Sequence, residues 1–187
     1  MSDFLNFVGI SGSLRRQSRN SGLLRCAAKS LPDGITLTMA FIADLPLFSE
    51  DLENDKPEPV RRFLALAAEA DALVLACPEY NYSMAPALKN ALDWASREPG
   101  NAILNGKPVA ILGAGGGMGT SRAQYHLRQT CVCLNLLPLP KPELFADAFS
   151  PSFDADGDVA DEKLAGQVRG LMLALADWTR RLRDQAR

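Results

Sequence analysis

The sequence contains a single histidine, His126, and its four cysteines form no CxxC pair. One imidazole excludes a zinc centre that needs two, and it leaves a Ser-His-Asp triad only one candidate base. His126 itself is read as a helix residue rather than a catalyst. Cys26, Cys77, Cys131 and Cys133 are expected to be buried, inert thiols, with Cys131 and Cys133 sharing one face of a β-like run. No apolar segment is long enough to cross a bilayer. Asp3 stands where a secretory leader needs a basic region, and the apolar run after it stops at a Gly-Ser turn, so no signal peptide is expected and the expected compartment is cytoplasmic. A formal net charge of -2 gives no general reason to bind nucleic acid or an anionic membrane.

What is present is an ordinary globular composition, 47% hydrophobic and 22% charged over 187 residues. That is enough chain for one core, expected as a single domain over 1–187, without disulfides or a structural metal. Phe4 to Ile10 is a branched apolar strand that breaks into Ser11, Gly12 and Ser13 before helical periodicity begins. Such a strand, turn and helix leave N–H groups and the positive end of a helix facing outward. Ser13, Ser18 and Asn20 add neutral donors, and Arg15, Arg16 and Arg19 add charge-assisted ones, a combination suited to a phosphate monoester. The same residues also fit an N-capped turn beside solvated charges. No Lys-Ser or Lys-Thr pair follows the glycines and the three-glycine dinucleotide spacing is missing, so this is neither a Walker A loop nor a dinucleotide fingerprint.

Further along, the pattern repeats. Leu23, Leu24, Ala27, Ala28 and Leu31 mark a helix closed by Pro32-Asp33-Gly34, and Ile35 to Ala40 a strand. Phe41 to Asp55 is a connection that could bring Leu47 and Phe48 to the rim of a site. A helix through Val60, Phe63, Leu64, Ala67 and Ala68 precedes the wholly apolar strand Ala72 to Ala76, the kind that a sheet covered on both faces requires. Leu88, Ala91, Leu92 and Ala95 stripe a third helix; Pro108 to Leu112 is a fourth strand; Arg122 to Thr130 is a helix; Cys131 to Leu137 reads as the last strand. Leu164, Val168, Leu171, Leu175, Trp178 and Leu182 line a closing helix, after an excursion from Leu137 to Asp161 whose DADGD stretch does not keep the EF-hand positions. Five βα units predict an α/β fold, a parallel five-stranded sheet with helices on both faces and ligands beyond the carboxyl ends of its strands.

Three of those ends carry unusual loops. Besides Ser11 to Asn20, the loop from Cys77 to Pro86 presents Tyr80, Asn81 and Tyr82 between stiffening prolines, where side chain or backbone could meet a flat heteroaromatic ring. The loop after the fourth strand holds Gly113, Gly115, Gly116, Gly117 and Gly119, so backbone can approach a ligand closely. Thr120 and Ser121 are expected to cap the next helix. A phosphate cradle, a site for a polar ring and a second loop against the same ring fit a mononucleotide cofactor, and FMN is the one that makes a site without a nucleophile and base sensible.

The sequence resembles the NADPH-dependent FMN reductase family of flavodoxin-like proteins, a group that includes quinone, chromate and azo-dye reductases. The likeness is carried by GSLRRQSRN at Gly12 to Asn20, PEYNYS at Pro78 to Ser83, LKNALDW at Leu88 to Trp94 and SRAQYHLRQ at Ser121 to Gln129, and it continues through KPE at Lys141 to Glu143 and FDADG at Phe153 to Gly157. The resemblance implies a flavodoxin-like three-layer sandwich with strand order 2-1-3-4-5. It implies that Ser13, Arg15, Ser18, Arg19 and Asn20 hold the FMN phosphate, that Pro78, Glu79, Tyr80 and Asn81 lie along the isoalloxazine, and that Gly113, Gly115 and Gly116 approach it from the other side. Hydride would pass from NADPH or NADH to flavin N5 and on to a quinone or another small-molecule acceptor such as chromate, an azo compound or free flavin, with no side chain as obligatory acid. A homodimer or homotetramer is implied as well. The chain departs from the family at Cys77, where threonine is common, at Ala85-Pro86, where proline and glycine are usual, and at Thr120, where a second glycine often follows Gly119. A flavodoxin-like electron carrier or redox-responsive FMN-binding module is the alternative reading.

Overall fold

A computed structural model describes residues 4–185. Its elements in chain order are β1 (Leu5–Ser11), α1 (Arg19–Lys29), β2 (Ile35–Ala40), α2 (Glu58–Glu69), β3 (Ala72–Ala76), β4 (Glu79–Tyr80), β5 (Ser83–Met84), α3 (Pro86–Ala95), β6 (Pro108–Gly115), α4 (Ser121–Cys133), β7 (Leu137–Pro138), β8 (Leu144–Asp147) and α5 (Glu162–Gln185). The central sheet runs β2-β1-β3-β6, with β7 and β8 both on the far side of β6. Every pairing in it is parallel. This is the flavodoxin-like order expected from the sequence, its fifth place shared by two short strands.

Alternation within β1 and β3 builds the two cores. Val8, Ile10, Leu73 and Leu75 face α2, α3 and α4, while Leu5, Phe7, Val74 and Ala76 face α1 and α5. Residues pointing either way are apolar because neither face of a central parallel strand meets water.

The far edge of the sheet departs from expectation. Cys131 to Leu137 is not a strand: α4 continues through Cys133, its buried Leu127 and Cys131 standing one turn apart on the core side. The helix then stops in a Schellman arrangement, in which the left-handed Asn135 (φ 49°) donates to Val132 O and Leu136 N–H donates to Cys131 O. Cys131 is therefore buried and Cys133 exposed, rather than both sharing a strand face or both being buried. The last strand lies instead within Leu137 to Asp161, where Leu144 and Ala146 point inward and Phe145 and Asp147 outward. Prolines are tolerated there because an edge strand needs partners on one side only. Phe48 also turns away from any rim, packing edge-on against Trp94 at 5.1 Å.

Among the described residues no helix is long and apolar enough to cross a membrane. At the amino-terminal ends of the strands, Lys107 Nζ donates to the last carbonyls of α2, Ala67 O at 2.5 Å and Ala68 O at 3.4 Å. Burial pushes its pKa down to about 8, with Asp71 opposing. A base whose pKa falls on folding is protonated more readily in the unfolded chain, so stability increases as the pH rises from about 8 toward the ordinary lysine value. Urea unfolding across that window is expected to show the increase in the wild type and to lose it in Lys107→Met, which keeps the aliphatic stem.

Candidate functional site

The carboxyl ends of β1, β3 and β6 converge on a cleft of about 200 Å³. Its walls include Ser13, Arg15, Ser18, Arg19 and Asn20 from the first loop, Pro78, Glu79 and Tyr80 from the second, and Gly115 and Gly116 from the third. Two expected residues stand back: Asn81 lies at the hairpin tip, and Gly113 is packed where an added Cβ would meet Thr120 Oγ1 at 2.1 Å. The cleft adds Ala114, Ala148 and Phe149, which the sequence reading did not single out. Asp147 holds the turn after β8 by accepting from Phe149 N–H, which leaves the Phe149 ring exposed at the mouth.

The first loop is a helix N-terminus with charge around it. Ser18 is the N-cap of α1, its hydroxyl oxygen accepting from Ser21 N–H at 3.2 Å, which leaves the hydroxyl hydrogen to donate elsewhere. The N–H groups of Arg19 and Asn20 belong to the first turn, where no intrahelical acceptor exists. Arg19 Nε is buried without a hydrogen-bond partner, while its guanidinium lies 6.0 Å from the centre of the Phe153 ring. Arg15 and Arg16 are exposed and make no hydrogen bond or ion pair among the described residues.

Asn20 ties this loop to the third. Its amide nitrogen donates to Ala114 O at 2.9 Å and its amide oxygen accepts from Ala114 N–H at 3.0 Å, both inside the protein. Behind the helix, Gly22 and Gly157 meet so closely that a Cβ on Gly22 would stand 1.9 Å from Gly157 O. Arg25 anchors the same 154–158 loop through Asp158 at 2.5 Å. FDADG thus packs behind the first loop.

The second loop is a two-residue hairpin between β4 and β5. Asn81 (φ 49°) and Tyr82 (φ 68°) are both left-handed, as a type I′ turn demands. That conformation is unfavourable for a tyrosine, and the Arg122 guanidinium 3.7 Å over its ring opposes the strain. Glu79 holds the other end. Its carboxylate accepts from Arg122 Nε at 2.6 Å and from Ala123 N–H at 3.2 Å, so Glu79, and not the side chain of Thr120, caps α4. Thr120 Oγ1 instead accepts from Gln124 Nε2 at 3.0 Å. Cys77 is fully buried beneath the hairpin, and burial pushes its thiol up to about 12, outside the range of a reactive thiolate. His126 is a helix residue whose Nδ1 lies 3.2 Å from Ser83 Oγ.

A doubly wound parallel sheet with a neutral, arginine-flanked helix N-terminus after its first strand and two further loops converging on it defines a flavodoxin-like protein. The chain belongs to the NADPH-dependent FMN reductase family, whose model matches residues 5–150. It is 49% identical to an NAD(P)H-dependent FMN reductase of Pseudomonas aeruginosa, over 98% of this chain and 100% of that protein. It is 35% identical to a quinone reductase of Escherichia coli K12, covering 98% and 100%. Among solved structures it superimposes on FerB, a flavoenzyme NAD(P)H:(acceptor) oxidoreductase of Paracoccus denitrificans, with a TM-score of 0.86 at 32% identity, over 95% of this chain and 98% of that one.

Two substitutions test the frame of the site. Asn20→Ala leaves both polar groups of Ala114 buried and unpaired, and is expected to lower the free energy of unfolding by about 2–4 kcal/mol in urea. Gly22→Ala forces α1 off the 154–158 loop and is expected to cost about 1–3 kcal/mol, with weakened flavin retention on gel filtration.

Proposed function

We propose that this cleft holds FMN, with the phosphate at Arg15, Arg19 and the first turn of α1, and the ring along Pro78, Tyr80, Gly115 and Gly116. The protein is an FMN-dependent NAD(P)H oxidoreductase that delivers electrons to a small-molecule acceptor of the quinone type. The observation that carries the phosphate assignment is the buried, unpartnered Nε of Arg19 in the wall of the cleft. A buried charged donor without an acceptor is costly, and a phosphate oxygen relieves it. FMN, when bound, supplies the ring nitrogen that accepts and releases hydride.

The chain's own residues bind and orient. Arg15 and Arg19 neutralise the phosphate, aided by the helix N-terminus and the Ser18 hydroxyl. Glu79 and Arg122 fix the hairpin that presents Tyr80, and Asn20 keeps β6 at a set distance from the phosphate loop. No side chain is required as an acid, since protons for the acceptor come from solvent at the open mouth.

We propose further that the whole chain acts as one FMN-binding domain, assembles as a homodimer or homotetramer and works in the cytoplasm. Exposed Tyr82, Tyr125 and Val132 support an assembly surface, and four free thiols suit a reducing compartment.

The test is a visible spectrum of the FMN-loaded protein before and after NADH or NADPH without oxygen. The flavin bands are expected to bleach with donor and to return when a quinone is added; bands that stay oxidised would overturn the enzyme reading in favour of an electron carrier. Arg19→Ala is expected to weaken FMN binding about tenfold or more, measured by fluorescence quenching of titrated FMN.

A further inference from the structure

A second cleft, of about 250 Å³, opens on the other side of the phosphate loop, at the carboxyl end of β2. The two clefts share Ser13 and Arg15 as a common wall. The far wall of the second is Met39, Phe41 and Ile42, and no carboxylate lines it. Phe41, just past the end of β2, is 64% exposed, so its ring is open to a ligand in this cleft.

Charge is distributed unevenly between the clefts. Six arginines elsewhere, Arg25, Arg62, Arg97, Arg122, Arg180 and Arg183, each pair with a carboxylate, and Arg61 and Arg128 donate to backbone carbonyls. Arg15, Arg16 and Arg19 pair with none. A phosphate monoester carries up to about two charges at neutral pH, which Arg15, Arg19 and the end of α1 already balance. Arg16 is surplus to that balance, and it lines the second cleft alone.

An unpaired guanidinium beside an exposed flat ring and without a carboxylate suits an anionic group attached to a purine nucleoside. The two nicotinamide donors differ at the adenosine ribose, where one carries a 2′-phosphate and the other a hydroxyl. A site for the hydroxyl offers a carboxylate to it, whereas a site for the 2′-phosphate offers arginine. We propose that the second cleft receives the adenosine 2′-phosphate end of NADPH, with Arg16 binding the phosphate and Phe41 supporting the adenine, so that Arg16 sets the preference for NADPH over NADH. The proposal rests on the assignment of the first cleft to FMN, because the donor must reach both.

Calorimetric titration of the FMN-loaded protein with adenosine 2′,5′-bisphosphate and with adenosine 5′-monophosphate tests it. The bisphosphate is expected to bind at least about tenfold more tightly to the wild type, and Arg16→Ala to remove that preference. Arg16→Glu is expected to reverse it, and both variants should fold, since Arg16 is exposed and makes no contact that the fold uses. Equal preference in the wild type and Arg16→Ala would overturn the proposal, as would loss of FMN from Arg16→Ala, which would put Arg16 in the first cleft. Neither titration needs turnover, so the result stands apart from whether the flavin bleaches with a donor.

Discussion

The site depends on two hydrogen bonds between one side chain and one peptide unit, Asn20 with Ala114. β1 and β6 are not neighbours in the sheet, since β3 lies between them. Their loops would otherwise be related only through the twist of the intervening strand. The asparagine replaces that loose relation with a bidentate contact of fixed length, made where water cannot compete for it. The loop it sits in marks Asn20 for a phosphate, but both ends of its side-chain amide bond to Ala114. What it leaves for an anion is its backbone N–H and the second amide hydrogen, so its contribution to a ligand comes chiefly through the geometry it imposes.

The same division between holding and binding runs through the other loops. Glu79 faces α4 and Arg122, and Gly113 faces Thr120. Each keeps a neighbour in register, and the groups left for a ligand are the ones without partners: Arg15, Arg19 and the first turn of α1. Arg15, Arg16 and Arg19 stand close together in sequence and pair with no carboxylate, so the loop before α1 is a local excess of positive charge on a protein whose formal charge is only -2. Attraction for an anion is therefore short in range and confined to that end of the sheet.

Much of this was legible in the sequence, because the signals were local. β1, β2, β3 and β6 are apolar runs bounded by Gly, Pro and Ser, and the order of βα units dictates which loops meet. The far edge of the sheet was hidden by competing cues. Cys131 to Leu137 alternates well enough for a strand, and only Asn135, an apt residue for a left-handed helix stop, signals that α4 continues. Leu144 to Asp147 alternates too, but lies among prolines that suggest an irregular excursion. Phe149 could not be found, since what places it at the cleft is the pairing of β8 with Gly113–Gly115 across the sheet. Nor does any sequence pattern show whether a polar side chain is already engaged, which is why Asn20 and Glu79 read as ligands.

The glycine loop after β6 divides into parts with different obligations. Gly113, Gly115 and Gly119 are each pressed against backbone or side chain within 2.7 Å of where a Cβ would sit. Gly116 has only Phe149 nearby, at 3.6 Å, and Gly117 has nothing within 4 Å. New side chains at these two positions would alter the mouth of the cleft without disturbing the packing beneath it. The reach of the cleft toward a second reactant can therefore be altered at Gly117 while the packed glycines on either side keep the loop in place.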